Sequence, residues 1–364
     1  MIKNLKLKNF KCFEDLDIDL KNVNVFTGVN GMGKSTVIQS LLLLEQSKRE
    51  KDVKSGLYLN GQYINLGNSQ DVVYDKALDE NLEITYTTTE GGQNKNVYSF
   101  KQDMDYLPLQ HAINCEEESA YKHFVYISAY RIKPQERYTV INEKELYERK
   151  FGNSGEFALQ YLSVYGNEAV RNKCVIEPYV NAGGDSLINQ TRLWMDRVSP
   201  GVSPQIKVMM ETRSSELNFD FIEGRERSNS YKSVNVGFGI TYVLPVVVAL
   251  LTAEEGDIVI IENPEAHIHP AGQRMLGELI ARVGAGGVQV LVETHSEHVV
   301  NGIRISVKNK QISKDKVQVD FFYKDEEDGY KHKYQPLKVT EAGKMSSWPQ
   351  GFLDEWENSL IELL

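Results

Sequence analysis

The sequence predicts an α/β fold with a core of parallel strands, and two observations support this prediction. Residues 16–26 alternate as a strand does, a glycine-rich loop comes next, and an apolar-periodic helix follows the loop. Farther along the chain, the β-branched runs at 257–263 and 287–296 are separated by the helical segment 270–286. Strands that alternate with helices in this manner pair in parallel, with the helices packed against the sheet.

The rest of the chain predicts a β-rich beginning and a helical middle. Period-two patterning predicts another strand at 2–8, and the segment 57–101 predicts antiparallel hairpins with turns at Asn60-Gly61 and Gly91-Gly92. The pattern is mixed and mainly helical from 116 to 200 and returns to strands at 205–225. We therefore expect a single domain, 1–364, in three parts: a β-rich part with the glycine loop at 1–115, a helical and hairpin insertion at 116–230, and a parallel-strand part at 231–364.

The composition indicates a soluble cytoplasmic protein without a general affinity for polyanions. The chain carries 41 Lys and Arg against 51 Asp and Glu, a net charge of −10, so contact with nucleic acid would need a local basic patch. Three cysteines, Cys12, Cys115 and Cys174, are too few for a disulfide framework and are interpreted as reduced thiols. The N-terminus has no signal-peptide pattern, and the longest apolar stretch, 242–253, is too short to cross a bilayer.

The segment GVNGMGKS, residues 28–35, is the most specific motif in the chain. It fits the pattern G-x-x-x-x-G-K-[ST] and lies between a predicted strand and a predicted helix. The glycines let successive backbone N–H groups turn toward phosphate oxygens, and the helix N-terminus adds a partial positive charge. Lys34 would bridge the β- and γ-phosphates, and the Ser35 hydroxyl would bind Mg²⁺. The chain has no Asn-Lys-x-Asp motif, which argues against a small GTPase, whereas a metabolite kinase stays compatible with this loop.

Three further segments contain residue types that a nucleotide site uses. NVGFG, residues 235–239, precedes a helix, and taken alone it favours a helix N-cap with a packing glycine over an anion site. The strand 258–262 ends in Glu262, a carboxylate suited to magnesium, and the strand at 288–293 leads to His295, which could hydrogen-bond a γ-phosphate. Each of these is weak alone, since a histidine at a strand end is commonly structural. Their order after a phosphate loop is much harder to obtain by chance.

These segments together resemble the ABC-type ATPase heads of the family that includes SMC-like repair ATPases and the overcoming-lysogenization-defect (OLD) ATPases of bacterial defence systems. The resemblance rests on LKNFKCFEDLDIDL, GVNGMGKST, NVGFG, ENPEAHIHP and ETHSEH. The segment 264–270 is typical of the OLD-like branch, and the closing SSWPQGFLDEWENSLIELL is similar to the end of uncharacterised defence-associated ATPases. The resemblance implies an ABC-type head with a mixed or antiparallel N-terminal lobe, a helical insertion and a parallel-strand core.

The resemblance also implies the residues of an ATP site. Each head would hold ATP and Mg²⁺ in cis and close on a second copy, so that ATP joins a head-to-tail homodimer. Arg131, in the segment SAYR, would belong to a metal-sensing loop. The implied nucleotide-binding residues are Lys11, Gly28, Asn30, Gly31, Gly33, Lys34, Ser35 and Thr36 in cis, with Asn235, Gly237 and Gly239 in trans. The implied metal ligands are Ser35 and Glu262, and the implied catalytic residues are Glu262, Asn263, Glu265 and His295.

Asn263 departs from the Asp-Glu-Pro-Glu pattern of the family, in which a glutamate at this position activates water. Glu262 then stands at the position of the magnesium-side acid. An amide can orient water but cannot accept its proton. Either Glu265 or Glu262 takes over as the base, or hydrolysis is slow and ATP mainly holds the dimer closed. We expect the slow switch, which would control a separately encoded nuclease or toxin in bacterial defence.

Other functions fit parts of the sequence. His267, His269, His295 and His298 lie close together and would suit zinc, although no cysteine is near. The stretch after His295 is too short for a nuclease domain and predicts a terminal hairpin at 315–334. Two alternatives to the switch stay open, namely an ATP-gated scaffold without turnover and a DNA-repair-type SMC-like ATPase.

Overall fold

The structure, a computed structural model, describes residues 1–49, 56–79, 81–114, 120–178, 184–209, 211–224, 226–352 and 355–363. Cys115, one of the three predicted thiols, lies outside these residues, whereas Cys12 and Cys174 are free thiols within them. No helix in these ranges is long and apolar enough to cross a membrane.

The described residues form strands and helices that belong to two compact units. Unit 1 comprises 1–122, 318–337 and 347–364, and unit 2 comprises 123–317 and 338–346. The strands, in chain order, are β1 Ile2–Phe10, β2 Phe13–Asp19, β3 Val23–Gly28, β4 Gly56–Tyr58, β5 Asn81–Thr88, β6 Gln93–Ser99, β7 Tyr106–Asn114, β8 Phe124–Ile127, β9 Tyr138–Thr139, β10 Val202–Met209, β11 Ser214–Glu223, β12 Glu226–Arg227, β13 Tyr231–Lys232, β14 Ile258–Glu262, β15 Gln289–Glu293, β16 Val317–Asp325 and β17 Lys331–Leu337. The α-helices are α1 Lys34–Arg49, α2 Glu143–Tyr147, α3 Ala158–Tyr165, α4 Leu187–Val198, α5 Phe238–Thr252, α6 Pro270–Ala285, α7 Glu297–Lys308 and α8 Glu355–Leu363.

Unit 1 contains an antiparallel sheet in the order β2-β1-β5-β6-β7-β4 and the strand group β17-β16-β3. Along β1, Leu5 and Leu7 enter the core while Lys6 and Lys8 face outward, as expected of a strand with one solvated face. Two predicted hairpins are confirmed, because β5 pairs with β6 and β16 pairs with β17, both antiparallel. The hairpin predicted at Asn60-Gly61 is reduced to an isolated bridge between Asn60 and Asn65, because the short strand β4 before it pairs with β7 instead. The helix α1 follows β3 after the loop 29–33, as the sequence predicts.

Unit 2 contains the parallel strands β15, β14 and β8, with β14 hydrogen-bonded to both neighbours. The runs 258–261 and 290–292 are completely buried, which is typical of strands covered on both faces. The parallel pairing predicted from the strand and helix alternation is confirmed. The strand β8 lies in the stretch predicted as mainly helical, because a four-residue apolar run is too short for periodicity to identify.

Helices α6 and α7 of unit 2 pack with their backbones close together. A Cβ atom on Gly277 would lie 2.1 Å from the Val299 carbonyl oxygen, and one on Gly302 would lie 2.2 Å from the Arg274 carbonyl oxygen. Only glycine permits so close an approach at both positions. The two helices therefore hold their outward-facing side chains at a fixed separation.

Candidate functional site

The glycine loop of unit 1 has the backbone conformation that its motif predicts. Gly28, Gly31 and Gly33 have φ values of 137°, 78° and 102°, in the left-handed region that favours glycine. Asn30 and Gly31 are exposed at the tip, and a Cβ atom on Gly31 would meet nothing within 4 Å. The positive φ of residue 31 therefore explains why it is glycine, and the space beside it is open.

Close packing explains the other two glycines of the loop. A Cβ atom on Gly28 would lie 2.3 Å from the Phe322 carbonyl oxygen, and one on Gly33 would lie 2.6 Å from the Phe13 ring. Phe322 belongs to β16, the strand beside β3. Phe322 and Phe13 thus leave no room for a side chain at positions 28 and 33 of the loop.

Lys34 is folded back onto the loop at the N-terminus of α1. Its Nζ donates hydrogen bonds to the carbonyl oxygens of Gly28, at 2.9 Å, and Val29, at 3.0 Å, and only 3% of the residue is exposed. Ser35 follows in a half-buried position, and Thr36 is buried. The ammonium group is held at the mouth of the loop, where an anion could take over its hydrogen bonds.

Lys11 lies on the turn between β1 and β2, which packs against α1. Its Nζ donates to Gln39 Oε1 at 2.8 Å, and burial lowers the pKa of its ammonium group. The next residue, Cys12, places its Sγ 3.5 Å from Thr36 Oγ1. The predicted nucleotide-binding residue Lys11 is therefore near the first turns of α1, and it is bonded to a side chain of that helix.

A cavity of about 470 Å³ in unit 1 lies between the start of β2 and the terminal hairpin. Its lining includes Cys12, Tyr74, Tyr330 and His332. The His332 Nε2 donates to the Gly31 carbonyl oxygen at 3.2 Å, and burial lowers the pKa of its ring. Sequence reasoning missed His332, because it lies on the terminal hairpin and only the position of that hairpin beside β3 brings it to the loop.

The end of β14 in unit 2 presents Glu262 in a largely buried setting. Its Oε2 accepts a hydrogen bond from the Ala129 N–H at 3.2 Å, and Tyr126 also hydrogen-bonds the carboxyl group. Burial raises the pKa of Glu262, and the hydrogen bonds from Ala129 and Tyr126 oppose that rise. A perturbed carboxyl group at a strand end is a candidate for a functional role.

Arg131 anchors the backbone at the same strand end. Its Nη1 donates to the Glu262 carbonyl oxygen at 2.7 Å, and its Nη2 donates to the Asn263 carbonyl oxygen at 2.5 Å. Only 3% of Arg131 is exposed, and burial lowers its pKa to about 10. The structure thus gives Arg131 a positioning contact with Glu262 and Asn263, and its predicted part in a metal-sensing loop stays a prediction.

Asn263 has a backbone conformation that bears on its identity. Its φ is 45°, and its N–H donates to the Glu293 carbonyl oxygen at 2.8 Å, which ties the end of β14 to the end of β15. Asparagine enters the left-handed region more readily than other side chains with a Cβ atom. The positive φ therefore offers a conformational reason for asparagine at position 263, in addition to the proposed slowing of hydrolysis.

Glu265 and His295 are linked through the backbone. The Oε1 of Glu265 accepts a hydrogen bond from the His295 N–H at 2.8 Å. Its Oε2 is buried and has no hydrogen-bond partner among the described residues. The His295 side chain is exposed. The structure brings these two predicted catalytic residues together, with Glu265 holding the loop that carries His295.

The second glycine loop lies at the start of α5 in unit 2. A Cβ atom on Gly239 would lie 2.0 Å from the His267 carbonyl oxygen, so Gly239 is a packing glycine. Gly237, in contrast, is exposed, has a φ of −54°, and would have no neighbour within 4 Å of an added Cβ atom. Asn235 is also exposed. Neither torsion nor packing within unit 2 explains why residue 237 is glycine.

Two histidines of unit 2, His267 and His269, contact neighbouring protein groups. The His267 ring packs edge-on against Phe238 and Tyr242, and His269 Nδ1 accepts a hydrogen bond from the Ala271 N–H at the start of α6. Within the described ranges, no group of three or more His, Cys, Asp or Glu side chains is arranged to hold a metal ion. These contacts favour structural roles for His267 and His269.

Comparisons with protein families match most of the chain. The family model described as AAA ATPase domain matches residues 1–146 and 58–300. A second family model, described as a protein of unknown function (DUF3696), matches residues 312–363. The second match includes β16, β17 and the closing segment singled out above.

Similar proteins were found among curated sequences and solved structures. The DNA replication and repair protein RecF of Clostridium tetani is 23% identical over 245 residues, which are 63% of this chain and 62% of RecF. The OLD nuclease of Thermus scotoductus is 41% identical over 44 residues, 12% of this chain and 8% of the nuclease. The chain thus spans less than two thirds of each of these relatives. The crystal structure of the Smc head bound to the C-winged helix domain of ScpA has a TM-score of 0.50 at 12% identity, with 94% of this chain and 98% of that chain covered. This likeness confirms the predicted ABC-type head fold.

Proposed function

This chain belongs to the AAA ATPase domain family, and on that premise we propose that it is an ATP-binding switch that hydrolyses ATP slowly. The conformation of the phosphate loop carries the proposal. Gly31 and Gly33 hold positive φ values that let backbone N–H groups converge on an anion. The helix α1 begins at the end of the loop and adds its positive dipole end.

Lys34 and the neighbouring cavity support a nucleoside triphosphate as the ligand. Phosphate oxygens would replace two neutral carbonyls as partners of the Lys34 ammonium, and charge-assisted hydrogen bonds are the stronger kind. The cavity of about 470 Å³ falls in the size range of small-molecule sites, and His332 ties its wall to Gly31. We assign the phosphates to the loop and the nucleoside to this cavity.

Ser35 and Glu262 stay the Mg²⁺ ligands that the resemblance implies. A hydroxyl and a carboxylate are oxygen donors of the type that Mg²⁺ takes together with phosphate and water. When bound, Mg²⁺ offsets the negative charge that the phosphates develop during transfer. Because burial raises the pKa of Glu262, a nearby cation would favour loss of its proton.

Slow hydrolysis is proposed because Asn263 stands where the family has its base and because Glu265, one of the two alternative bases, already has a structural contact. The Asn263 amide cannot accept a proton from water. Glu265 uses one carboxylate oxygen to hold the His295 backbone, so we assign it the role of a positioning residue. His295 is exposed, and its contact with a γ-phosphate stays a prediction from the resemblance.

We further propose a homodimer in which Asn235, Gly237 and Gly239 of one copy approach the nucleotide of the other. Gly237 supports this arrangement, because it is exposed at the start of α5 and an added Cβ atom there would meet nothing within 4 Å. A residue without a Cβ atom lets an external phosphate come close to the backbone. Control of a separately encoded nuclease or toxin in bacterial defence stays a prediction from the resemblance.

Parallel measurements of ATP binding and ATP hydrolysis by the purified chain test the proposal. Binding with slow turnover that Lys34→Ala abolishes supports the switch, whereas binding without any turnover favours the ATP-gated scaffold. Failure to bind ATP would overturn both. A role of the DNA-repair type is favoured by the similarity to RecF, a DNA replication and repair protein, and stimulation of turnover by duplex DNA would support it.

A further inference from the structure

A second cavity, in unit 2, contains none of the residues assigned to ATP. Its volume is about 380 Å³, and it lies among α6, α7 and the segment 338–346. Arg274, His298, Arg304, Lys308 and Lys344 contribute to its lining, and no lining residue is Asp or Glu. The chain as a whole has a net charge of −10, so this cavity is a local reversal of its charge.

The backbone around this cavity is held by close packing. The glycine contact between α6 and α7 fixes the position of Arg274 relative to α7. Gly343 has a φ of 73°, and a Cβ atom there would lie 2.7 Å from the Arg304 carbonyl oxygen, so the segment carrying Lys344 sits directly on α7. Three separate segments thus present their cations to one cavity.

Arg304 is oriented by hydrogen bonds at the centre of this arrangement. Its Nε donates to the Gly343 carbonyl oxygen at 2.9 Å, and its Nη1 donates to Asn301 Oδ1 at 2.6 Å. A side chain that is already held loses little freedom when a ligand arrives. Burial also lowers the pKa of Arg304, which is the direction expected where a cation is removed from water.

The cations repel one another without a carboxylate in the lining to offset them. Arg304 and Lys308 are four residues apart on α7, where like charges destabilise a helix. The acid nearest in sequence to Lys344 is Glu341, which pairs with Lys314 at 3.0 Å. His298 has Glu297 Oε1 at 3.7 Å from its Nε2. An anion in the cavity would relieve the repulsion between Arg304 and Lys308.

We propose that this cavity binds a phosphate-bearing ligand at a site separate from the ATP site. A guanidinium group offers a planar fork of donors to phosphate oxygens, and ammonium groups add compact positive charge. Phosphate could come from the backbone of a nucleic acid or from a small phosphorylated compound. Both sources present the same oxygens to Arg304, Lys308 and Lys344.

Lysine acetylation followed by mass spectrometry tests the site in the full chain, with tripolyphosphate and a single-stranded oligonucleotide as separate probes. At a probe concentration of about ten times the Kd, acetylation of Lys308 and Lys344 should slow about tenfold. Protection by tripolyphosphate identifies a compact phosphate ligand, and protection by the oligonucleotide alone identifies a nucleic-acid backbone. No protection by either probe, or equal protection at the exposed Lys133 and Lys144, would overturn the proposal.

Charge-matched double variants separate the cavity from general electrostatics. Lys308→Gln with Lys344→Gln should weaken binding of the probe that protects, whereas Lys133→Gln with Lys144→Gln removes the same charge elsewhere and should not. For the oligonucleotide, the slope of log K against log salt should fall by about 1.4, since each lost cation removes about 0.7. For tripolyphosphate, calorimetry should lose one binding event. Equal losses in both double variants would contradict the site, and unchanged melting curves would show that the fold persists.

Discussion

The two glycine loops of this chain differ in what explains their glycines. In the loop at 28–33 of unit 1, positive torsions and contacts within unit 1 account for Gly28, Gly31 and Gly33. In the loop at 235–239 of unit 2, packing on His267 accounts for Gly239, whereas Gly237 is an exposed N-cap of α5 at which an added Cβ atom would meet nothing within 4 Å. The glycines of the first loop are fixed by their own unit, whereas the second loop has an exposed glycine that leaves its backbone open to close approach by an external group. That difference is the reason to assign the first loop to ATP in cis and the second to a neighbouring copy.

Removing Lys34 tests the first loop and should have the largest effect. Lys34→Ala deletes the ammonium held at the mouth of the loop, and loss of one preorganised donor to a developing charge commonly costs about 10²–10³-fold in rate. Steady-state ATP turnover measures the effect. Lys3→Ala, at an exposed position of β1, removes the same charge and should leave turnover unchanged. If Lys34→Ala kept its turnover, the result would contradict a role of the first loop in catalysis.

The second loop can be tested by comparing alanine at its two glycines. Gly239→Ala should lower the free energy of unfolding by about 1–3 kcal/mol, because the new Cβ atom would overlap the His267 carbonyl oxygen. Gly237→Ala should cost less than about 1 kcal/mol, the scale of a changed helix cap. Denaturant titration measures both. Light scattering with ATP should nevertheless show that Gly237→Ala impairs dimerisation, and normal dimerisation would contradict the role assigned to the second loop.

Asn263 tests whether slow turnover reflects side-chain chemistry or backbone conformation. Asn263→Glu should raise turnover at least about tenfold, since a positioned base contributes about 10²–10⁴-fold. It should also cost about 1–2 kcal/mol of stability, because the φ of 45° disfavours glutamate. Asn263→Gly is the matched control, which suits the torsion but supplies no base and should stay slow.

Glu265→Gln complements that comparison. The glutamine amide oxygen can still accept the hydrogen bond from the His295 N–H, so a positioning role predicts little change in turnover. Single-turnover ATP hydrolysis measures the effect on the chemical step. A large loss in Glu265→Gln would identify Glu265 as the base and end the slow-switch interpretation.

Asp320 allows a pH-dependent test, with a smaller expected effect, of the strand β16 that packs against the first loop. It lies on β16, two residues before Phe322, whose carbonyl faces Gly28. Burial raises its pKa from 3.8 to about 8, so between these values the folded chain keeps a proton that the unfolded chain has released. Stability should therefore fall as pH rises from about 4 to about 8, by at most about 1.4 kcal/mol per pH unit, the limit for one proton. Denaturant midpoints should lose this slope in Asp320→Asn but keep it in Asp15→Asn, an exposed control on β2.

Local patterns predicted those parts of the structure that depend on neighbouring residues. The order of strand, glycine loop and helix at 23–49, the terminal hairpin and the parallel pairing of β14 with β15 agree with the prediction, because each depends on torsions and periodicities within short segments. The strand β8 was missed, since four apolar residues carry no period. The predicted single domain, with three parts that meet at residues 115 and 230, stays a prediction, since the structure describes two compact units with other bounds.

By itself, the sequence determined the family resemblance, the phosphate loop and the identities of the candidate acids and histidines. Only the tertiary structure decided that His332 contacts Gly31, that Arg131 donates to the carbonyls of Glu262 and Asn263, and that two arginines and two lysines line one cavity of unit 2. The physical reason is that such contacts join segments far apart in the chain. Strand order and helix packing bring those segments together, and neither is contained in any local period of the sequence.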